Sequence, residues 1–291
     1  MIGDSQRAPD LPSCRGHPQN HGPSGQHRRE IPWAARPNPV RSESADRTGI
    51  VRLICFHHAG GASTAFRALT RALGPHIAVT AVNLPGRQSR SREPRHRDVH
   101  ACATQLAGEL SSHLDQPHVL LGHSMGAIIA YTIAQQRIAA GQRGPDALIV
   151  ASYAAPHLPS VATQIESADD LALATTLSQF GGLPAEILAR PEWLAALMPL
   201  VRDDLRICAS YRHRGEPPLS CPIHVCGGDS DPVVTRADLT GWRQHTSQPR
   251  PVIIVPGGHL LFRDPHPALI SAITSVLGAD RQREGGLNGA T

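Results

Sequence analysis

The chain has 291 residues, of which 40% are hydrophobic and only 3% are aromatic, so its core must be built from Ala, Val, Leu and Ile. This length suits one large α/β domain. All 28 basic residues are arginine and the formal net charge is +4, with the arginines dispersed except between Arg87 and Arg97. Because no recognised module and no basic stripe interleaved with aromatic residues occurs, this composition argues against nucleic-acid binding.

The six cysteines show no disulfide framework. Cys221, His224 and Cys226 have a spacing that faintly resembles a metal site, but alternate residues of a strand point to opposite faces, so we predict no metal. No apolar stretch is long enough to span a membrane, and the amino terminus lacks the apolar segment of a signal peptide. We therefore expect a cytoplasmic protein without a membrane partner.

The chain is predicted to divide into three segments. Residues 1–47 are rich in Pro, Gly, Arg, His and Ser with little hydrophobic periodicity, which predicts disorder or a start codon placed too far upstream. The domain itself is predicted to span 48–279, and residues 280–291 form a polar, flexible tail.

Within the domain, apolar strand segments alternate with segments of helical periodicity. Strands are predicted near 51–56, 77–83, 118–122, 147–152, 222–227 and 251–255, and helices near 63–73, 99–114, 125–140 and 265–277. This alternation is typical of the α/β class, with a mostly parallel sheet and crossover helices.

The first predicted strand runs into the loop His57-His58-Ala59-Gly60-Gly61. Small residues allow the backbone to approach a substrate carbonyl, so the N–H group of Ala59 is a candidate for one half of an oxyanion hole. The alternative is an ordinary glycine turn that leads into the helix from Ser63 to Leu73.

The segment Gly122-His123-Ser124-Met125-Gly126 follows an apolar strand and precedes a helix. In an α/β-hydrolase, such a turn holds a serine in a strained conformation between glycines that let strand and helix pack closely. Ser124 is therefore the candidate nucleophile. The N–H group of Met125, at the start of the helix, is the candidate second half of the oxyanion hole.

Between Pro156 and Pro217 the pattern changes to helices without strands, predicted at 169–180, 185–189 and 192–211. We interpret the segment at about 157–217 as a lid inserted after the sixth strand. Met198 is a candidate to line an acyl channel in this lid, and the alternative is an ordinary core contact of its helix.

A serine nucleophile needs a histidine base and a carboxylate that orients the histidine, in the chain order Ser, Asp, His. Asp229 and Asp231 both lie in the polar turn after the strand near 222–227, where either carboxylate could instead cap a helix or close a turn. We favour Asp231 because it precedes a proline several residues beyond the strand. His259 follows two glycines that let its loop bend toward the serine. His123 is the main rival, but its place on a buried strand predicts packing beside the serine.

Together these motifs resemble the type II thioesterases associated with polyketide synthases and non-ribosomal peptide synthetases. The resemblance runs from about Leu53 to Asp264. It rests on Cys55-Phe56 with Ala59-Gly60-Gly61, Leu84-Pro85-Gly86-Arg87, Gly122-His123-Ser124-Met125-Gly126-Ala127, Phe180-Gly181-Gly182-Leu183-Pro184, Gly227-Gly228-Asp229, Trp242-Arg243 and Gly257-Gly258-His259.

The resemblance implies an α/β-hydrolase fold with a helical lid, and acyl-enzyme hydrolysis by Ser124, Asp231 and His259 with the amides of Ala59 and Met125 as the oxyanion hole. It also implies acyl or peptidyl carrier proteins as partners, with the phosphopantetheine arm belonging to the substrate and no metal or dissociable cofactor. The expected activity removes stalled or misprimed acyl groups. The alternatives are a product-releasing thioesterase, a general serine esterase or acyltransferase, and a non-enzymatic carrier-binding protein.

His57-His58 departs from the family, which usually has a proline and then an aromatic residue or histidine there. This departure falls on the acyl side of the pocket, and we expect His58, Met198 and Arg87 to contact substrate. A solvated loop, with Arg87 in a structural role, is the more common outcome for such an arginine run, and electrostatic steering of an anionic carrier is the alternative. The run comprises Arg87, Arg90, Arg92, Arg95 and Arg97.

Overall fold

The computed structural model describes residues 51–287 apart from 166, 167 and 184. Six parallel strands form the sheet. They are β1 (Val51–Phe56), β2 (Ile77–Val82), β3 (Val119–His123), β4 (Ala147–Ala151), β5 (Ile223–Gly228) and β6 (Ile253–Val255). Their order is β2-β1-β3-β4-β5-β6, and every neighbouring pair is parallel. The predicted α/β class is confirmed, with a strand at each predicted position.

The helices are α1 (Arg67–Leu73), α2 (Val99–Glu109), α3 (Ser111–Leu114), α4 (Met125–Ala139), α5 (Val161–Ile165), α6 (Asp170–Gln179), α7 (Ala185–Leu188), α8 (Pro191–Ser210), α9 (Arg236–Thr240) and α10 (Pro267–Leu287). Short 3-10 helices lie at Ser63–Phe66, Gln88–Arg90 and Gly241–His245. None of the described helices has the length and apolar character needed to cross a membrane.

Three predicted helices differ in the structure. The one predicted near 63–73 begins as a 3-10 helix, Ser63–Phe66, before α1. The predicted helix near 99–114 is divided at Leu110 into α2 and α3. Helix α10 continues to Leu287 instead of ending near 277, because the polar residues that suggested a tail include good helix formers such as Arg, Gln and Glu. The predicted segment 1–47 and residues 288–291 of the predicted tail lie outside the described residues.

Both faces of the sheet are covered. Every residue of β3 and β4 is buried, as expected for central strands of a parallel sheet. One side of the core is a cluster that includes Leu53, Phe66, Phe262 and Leu269. Helix α4, which also packs against α2, contributes to the core almost along its whole length.

The strand order places a topological switch between β1 and β3. The chain leaves β1 toward β2 on one side, and β3 then lies on the other side of β1. In open α/β sheets, ligands bind at the carboxyl ends of strands where the order reverses. The loop after β1 and the elbow after β3 therefore meet at the edge where a ligand site is expected.

The helical insertion lies between β4 and β5 and contains α5, α6, α7 and α8. It follows the fourth strand and not a sixth, because the described sheet begins with β1 at Val51. Helix α8 crosses this region and buries Leu194, Met198, Val201 and Leu205. It packs against the other insertion helices and also against α2 and α4, so it connects the insertion to the body of the domain.

The close approach of β1 and α4 predicts that Gly126→Ala is strongly destabilising. A Cβ atom there would lie 2.0 Å from the carbonyl oxygen of Phe56, so strand and helix would have to separate. We expect the free energy of unfolding in urea to fall by about 3 kcal/mol or more.

Gly108→Ala in α2 is the matched control, since no atom lies within 4 Å of its added Cβ. It should raise the free energy of unfolding by about 0.5–1 kcal/mol through helix propensity. Equal stability of Gly126→Ala and the wild-type chain would contradict this description of the elbow.

Candidate active site

Ser124 lies on the sharp turn between β3 and α4. Its φ of 51° and ψ of −121° are strained for a residue with a side chain. Its N–H group donates to the carbonyl of Ala151 at 2.8 Å, which ties the turn to β4. An added Cβ at Gly122 would lie 2.3 Å from the Cα of Ala127, so the glycines on both sides allow the strand and helix to close around the serine.

His259 joins Ser124 to Asp231. Its Nε2 lies 2.9 Å from the Oγ of Ser124, and its Nδ1 lies 3.0 and 3.1 Å from the two carboxylate oxygens of Asp231. Asp231 can only accept when ionised, so Nδ1 carries the proton and Nε2 accepts from the serine hydroxyl. The side chains of His259 and Asp231 are 10% and 1% exposed, so this hydrogen-bonded chain is shielded from water.

The backbone holds Asp231 in its charged form. Its Oδ1 accepts hydrogen bonds from the N–H groups of Val233 and Val234. Burial acts to raise the pKa of Asp231, but the hydrogen bond and charge of His259 and these two N–H groups outweigh it, so the pKa lies below its usual value. Asp231 therefore presents a fixed negative charge to the imidazole.

Asp229 has a different place. It is exposed, and its Oδ1 accepts from the N–H of Gly257 at 3.1 Å and from the hydroxyl of Ser230 at 2.8 Å. These bonds, led by the one from Gly257, hold the pKa of Asp229 below its usual value. Asp229 thus fastens the loop that carries His259, while Asp231 contacts the imidazole.

His123 also holds the loop that carries His259. Its Nε2 donates to the backbone carbonyl of His259 at 2.8 Å, and its ring packs edge-on against Phe262. Complete burial, aided by the neighbouring charge of His259, lowers the pKa of His123 to about 3, so it stays neutral. It lies beside the serine without contacting it through a hydrogen bond, as its strand position predicts.

The loop after β1 brings Ala59 to the site, while Met125 is the first residue of α4. In the described part of the chain, neither backbone N–H donates a hydrogen bond to protein. The next residue of the loop, Gly60, donates its N–H to the Oδ2 of Asp204 at 2.7 Å. A carboxylate from α8 of the insertion therefore positions the candidate oxyanion loop.

Arg87 completes this anchor and does not contact the cavity. It forms a bidentate pair with Asp204, at 2.9 and 2.7 Å, and donates to the carbonyl of Gly61 at 3.0 Å. Its side chain is 6% exposed. The expectation that Arg87 contacts substrate is corrected, because its guanidinium is committed to joining the β1 loop to α8.

A cavity of about 550 Å³ opens beside Ser124. The body of the domain and the insertion both line it, and Phe180 of the insertion places its ring centroid 6.4 Å from that of His259. His58 lines this cavity as predicted. Burial lowers the pKa of His58, and the neighbouring imidazoles of His123 and His259 and the guanidinium groups of Arg263 and Arg87 lower it further, so His58 lines the cavity as a neutral ring.

Met198 is fully buried and is not among the residues that line the cavity. The structure therefore does not bring it to the acyl side, because its turn of α8 points into the packed core. Ser152, which pattern analysis did not single out, lines the cavity at the end of β4 with a φ of 52°. Its Oγ is buried without a hydrogen-bond partner in the described structure.

Most arginines of the run form ion pairs within the protein. Arg90 is buried and pairs with Glu93 and Glu109, and Arg95 and Arg97 both pair with Asp203. Among the five arginines, Arg92 alone is exposed without a hydrogen bond or ion pair to the described residues. Arg87 and Arg90 are thus held inside the protein by ion pairs, whereas Arg95 and Arg97 share the single negative charge of Asp203 and Arg97 stays 63% exposed, so steering by this surface stays a prediction.

A thioesterase-domain family model matches residues 51–277 of this chain. The chain belongs to the thioesterase family. Its parallel sheet, with the serine elbow after β3, is an α/β-hydrolase fold, and a putative α/β hydrolase from Nostoc shares that fold.

Two solved thioesterases are similar over most of the chain. RedJ-Thioesterase from the prodiginine biosynthetic pathway in Streptomyces coelicolor is 32% identical with a TM-score of 0.73, covering 84% of this chain and 97% of RedJ. YbtT, a type II thioesterase from the yersiniabactin NRPS/PKS biosynthetic pathway, is 27% identical with a TM-score of 0.74, covering 81% and 96%.

A curated relative carries a different name. Linear gramicidin dehydrogenase LgrE of Brevibacillus parabrevis is 34% identical over 232 residues, covering 78% of this chain and 88% of LgrE. The dehydrogenase activity in that name is stated of LgrE and not of this chain. The present chain matches the thioesterase family model and has the Ser124–His259–Asp231 geometry of a serine hydrolase.

The described residues of this thioesterase contain no group of three or more His, Cys, Asp or Glu side chains arranged to hold a metal ion. The functional contact that sequence reasoning missed is the one from Asp204 to the oxyanion loop. No local sequence pattern indicates this contact; the structure shows that Asp203 and Asp204 of α8 are both buried, and buried carboxylates require partners.

A matched pair of substitutions distinguishes the role of Asp231 from that of Asp229. Asp231→Asn should lower kcat for a small acyl thioester by about a thousandfold or more, because Asn no longer selects the productive His259 tautomer. Asp229→Asn should change kcat by less than about threefold, since Asn keeps the Oδ1 acceptor for Gly257 and Ser230 and residue 229 contacts neither His259 nor Ser124. Steady-state hydrolysis rates of the two variants measure these effects. A larger loss of kcat in Asp229→Asn than in Asp231→Asn would assign the orienting role to Asp229.

The anchor on Gly60 predicts that Asp204→Asn impairs both catalysis and stability. Loosening a preorganised oxyanion loop should lower kcat/KM by about tenfold or more. Loss of a buried pair with Arg87 should lower the free energy of unfolding by about 3 kcal/mol.

Asp170→Asn, which removes an exposed ion pair with Arg202, is the control. Both variants are assayed on a small acyl thioester below their unfolding temperatures. If Asp204→Asn retained the activity of the Asp170→Asn control, the anchor would have no role in the site.

Proposed function

We propose that this thioesterase hydrolyses acyl groups from the phosphopantetheine thioesters of carrier proteins through a covalent acyl-enzyme. The observation that carries the proposal is the continuous hydrogen-bonded chain from Asp231 through His259 to Ser124, which ends at the wall of a cavity large enough for an acyl group. His259 is positioned to accept the serine proton as Oγ attacks the thioester carbonyl.

The amides of Ala59 and Met125 are proposed to stabilise the oxyanion of the tetrahedral intermediate. Support comes from the loop anchor through Asp204 and from the position of Met125 at the positive end of α4. The thiol leaves with the proton held by His259. The same imidazole then activates water, which releases the free acid and restores Ser124.

This sequence of steps uses only side chains and backbone groups of the chain, so we propose a reaction without a metal or dissociable cofactor. The phosphopantetheine arm belongs to the carrier-protein substrate. The relatives support the carrier as partner because YbtT and RedJ come from biosynthetic pathways, in the case of YbtT one that combines NRPS and PKS enzymes. Cytoplasmic location stays a prediction from the sequence.

We further propose an editing role, in which stalled or misprimed acyl groups are cleared from the carriers. The type II description of YbtT supports it. Product release is the second candidate. The size of the cavity favours it, because the cavity has room for a chain longer than a short misprimed acyl group. Comparing short misprimed acyl groups with a full-length product on the same carrier separates the two roles.

Intact-mass spectrometry of an acyl-loaded carrier protein tests the proposed activity. The acyl mass should disappear in the presence of the wild-type enzyme, and Ser124→Ala should slow this loss by about a thousandfold or more. A matched oxygen ester and an added acyl acceptor are run in parallel. Faster cleavage of the oxygen ester would favour a general esterase, transfer to the acceptor an acyltransferase, and stable binding without acyl loss a carrier-binding protein.

A further inference from the structure

A buried tyrosine and two histidines form a hydrogen-bonded relay that ends at the cavity. The Tyr131 hydroxyl, on α4, lies 3.0 Å from the Nδ1 of His245. The Nε2 of His245 lies 2.9 Å from the Nδ1 of His157, a residue of the loop after β4. Tyr131 is fully buried and His245 nearly so, whereas His157 lines the cavity.

The direction of the hydrogen bonds follows from Tyr131. Its hydroxyl has one hydrogen-bond partner among the described residues, the Nδ1 of His245, so the buried hydroxyl proton must be donated there. Burial, together with the neighbouring imidazoles of His213 and His157, lowers the pKa of His245 to about 4, so His245 is neutral. Its single proton is then on Nε2 and is donated to the Nδ1 of His157.

The relay therefore fixes the tautomer of His157. With Nδ1 accepting, the proton of His157 lies on Nε2, which is left as a hydrogen-bond donor. No hydrogen bond within the described structure uses this Nε2, and it is not among the buried polar atoms without a partner. It is thus an accessible donor on a residue that lines the cavity.

A third imidazole supports the same end of the cavity. His213 also lines the cavity, and its ring centroid lies 5.0 Å from that of His245 and 6.5 Å from that of His157. Its Nδ1 lies 2.8 Å from the Oε2 of Glu216. No hydrogen bond or ring contact in the described part of the chain links this group to Ser124 or His259, so the cavity is what the two groups share.

We propose that the relay from Tyr131 through His245 to His157 forms a polar subsite for an acyl chain that carries an oxygen acceptor, such as a keto or hydroxyl oxygen, away from the thioester. This inference rests on the proposed function, because it names the acyl class that Ser124 would receive. His157 contacts the oxygen, and Tyr131 and His245 are positioning residues that set its tautomer.

The physical basis is selection by an otherwise unpaired donor. A plain alkyl chain that covered the Nε2–H of His157 would offer it no acceptor, whereas solvent does, and this loss disfavours that substrate. An oxygen at the matching position replaces the lost bond. The aliphatic residues of the same cavity, which include Ile128, Leu205 and Val234, would receive the rest of the chain.

The test compares two matched series of acyl N-acetylcysteamine thioesters, straight alkyl chains and chains of the same lengths with a keto group at the penultimate carbon. At one chain length the wild-type enzyme should prefer the keto substrate by about fivefold to tenfold in kcat/KM. His157→Phe, which keeps a ring but lacks the donor, should abolish this preference. His157→Gln, which keeps an N–H donor, should restore most of it.

Tyr131→Phe tests the relay without changing a residue of the cavity wall. Loss of the donated proton leaves the His245 tautomer unset, so the keto preference should fall by about half or more while the His157 side chain remains. His113→Phe on α3, outside the cavity, is the control and should retain the wild-type ratio.

Binding to Ser124→Ala provides a readout that does not depend on turnover. The dissociation constants of this variant for keto and alkyl thioesters should differ as the kcat/KM values do, and adding His157→Phe should remove the difference. If the wild-type enzyme hydrolyses neither series, the proposed function fails, and this binding measurement still decides on the subsite. The subsite would be overturned if, at every chain length, the keto and alkyl thioesters gave equal kcat/KM values with the wild-type enzyme and equal dissociation constants with Ser124→Ala.

Discussion

The close approach of β1, β3 and the start of α4 is the constraint on which the rest of the site depends. Gly126 lies so near the end of β1 that even a methyl group would meet the carbonyl of Phe56. At this contact the turn at Ser124 has its strained conformation, and the loop after β1 begins beside it. The candidate nucleophile and the candidate oxyanion amides are thus placed by backbone packing.

The candidate base His259 and the helical insertion are attached to this centre by hydrogen bonds to the backbone. His123 and Asp229 hold the loop that carries His259, and Asp231 is itself held by two N–H groups. On the other side, Asp204 reaches from α8 to the oxyanion loop. The insertion therefore contributes to the geometry of the site as well as covering it.

Local patterns predicted the parts of the structure that depend on local physics. Strand and helix periodicity located the sheet, and the glycines around Ser124 indicated an elbow because no other residue fits so close a crossing. The position of Asp231 before a proline favoured it over Asp229, and the structure places Asp231, not Asp229, against His259.

Contacts between distant segments were beyond such patterns. Arg87 and Asp204 are 117 residues apart in the chain, and nothing near either residue indicates the pair. For the same reason the sequence could not show that Arg87 and Arg90 of the arginine run are buried in ion pairs with Asp204 and Glu109. Helical periodicity showed that Met198 lies on an apolar face, but it could not tell a packed face from one that lines a cavity.

Trapping the acyl-enzyme tests the central claim most directly. Wild-type enzyme is mixed with an acyl thioester, quenched in acid on the millisecond scale, digested and mapped by mass spectrometry. The account predicts a transient acyl ester on the peptide that contains Ser124, formed before the free acid accumulates. Release of the acid with no acylated serine at any time, or acylation of another residue, would contradict it.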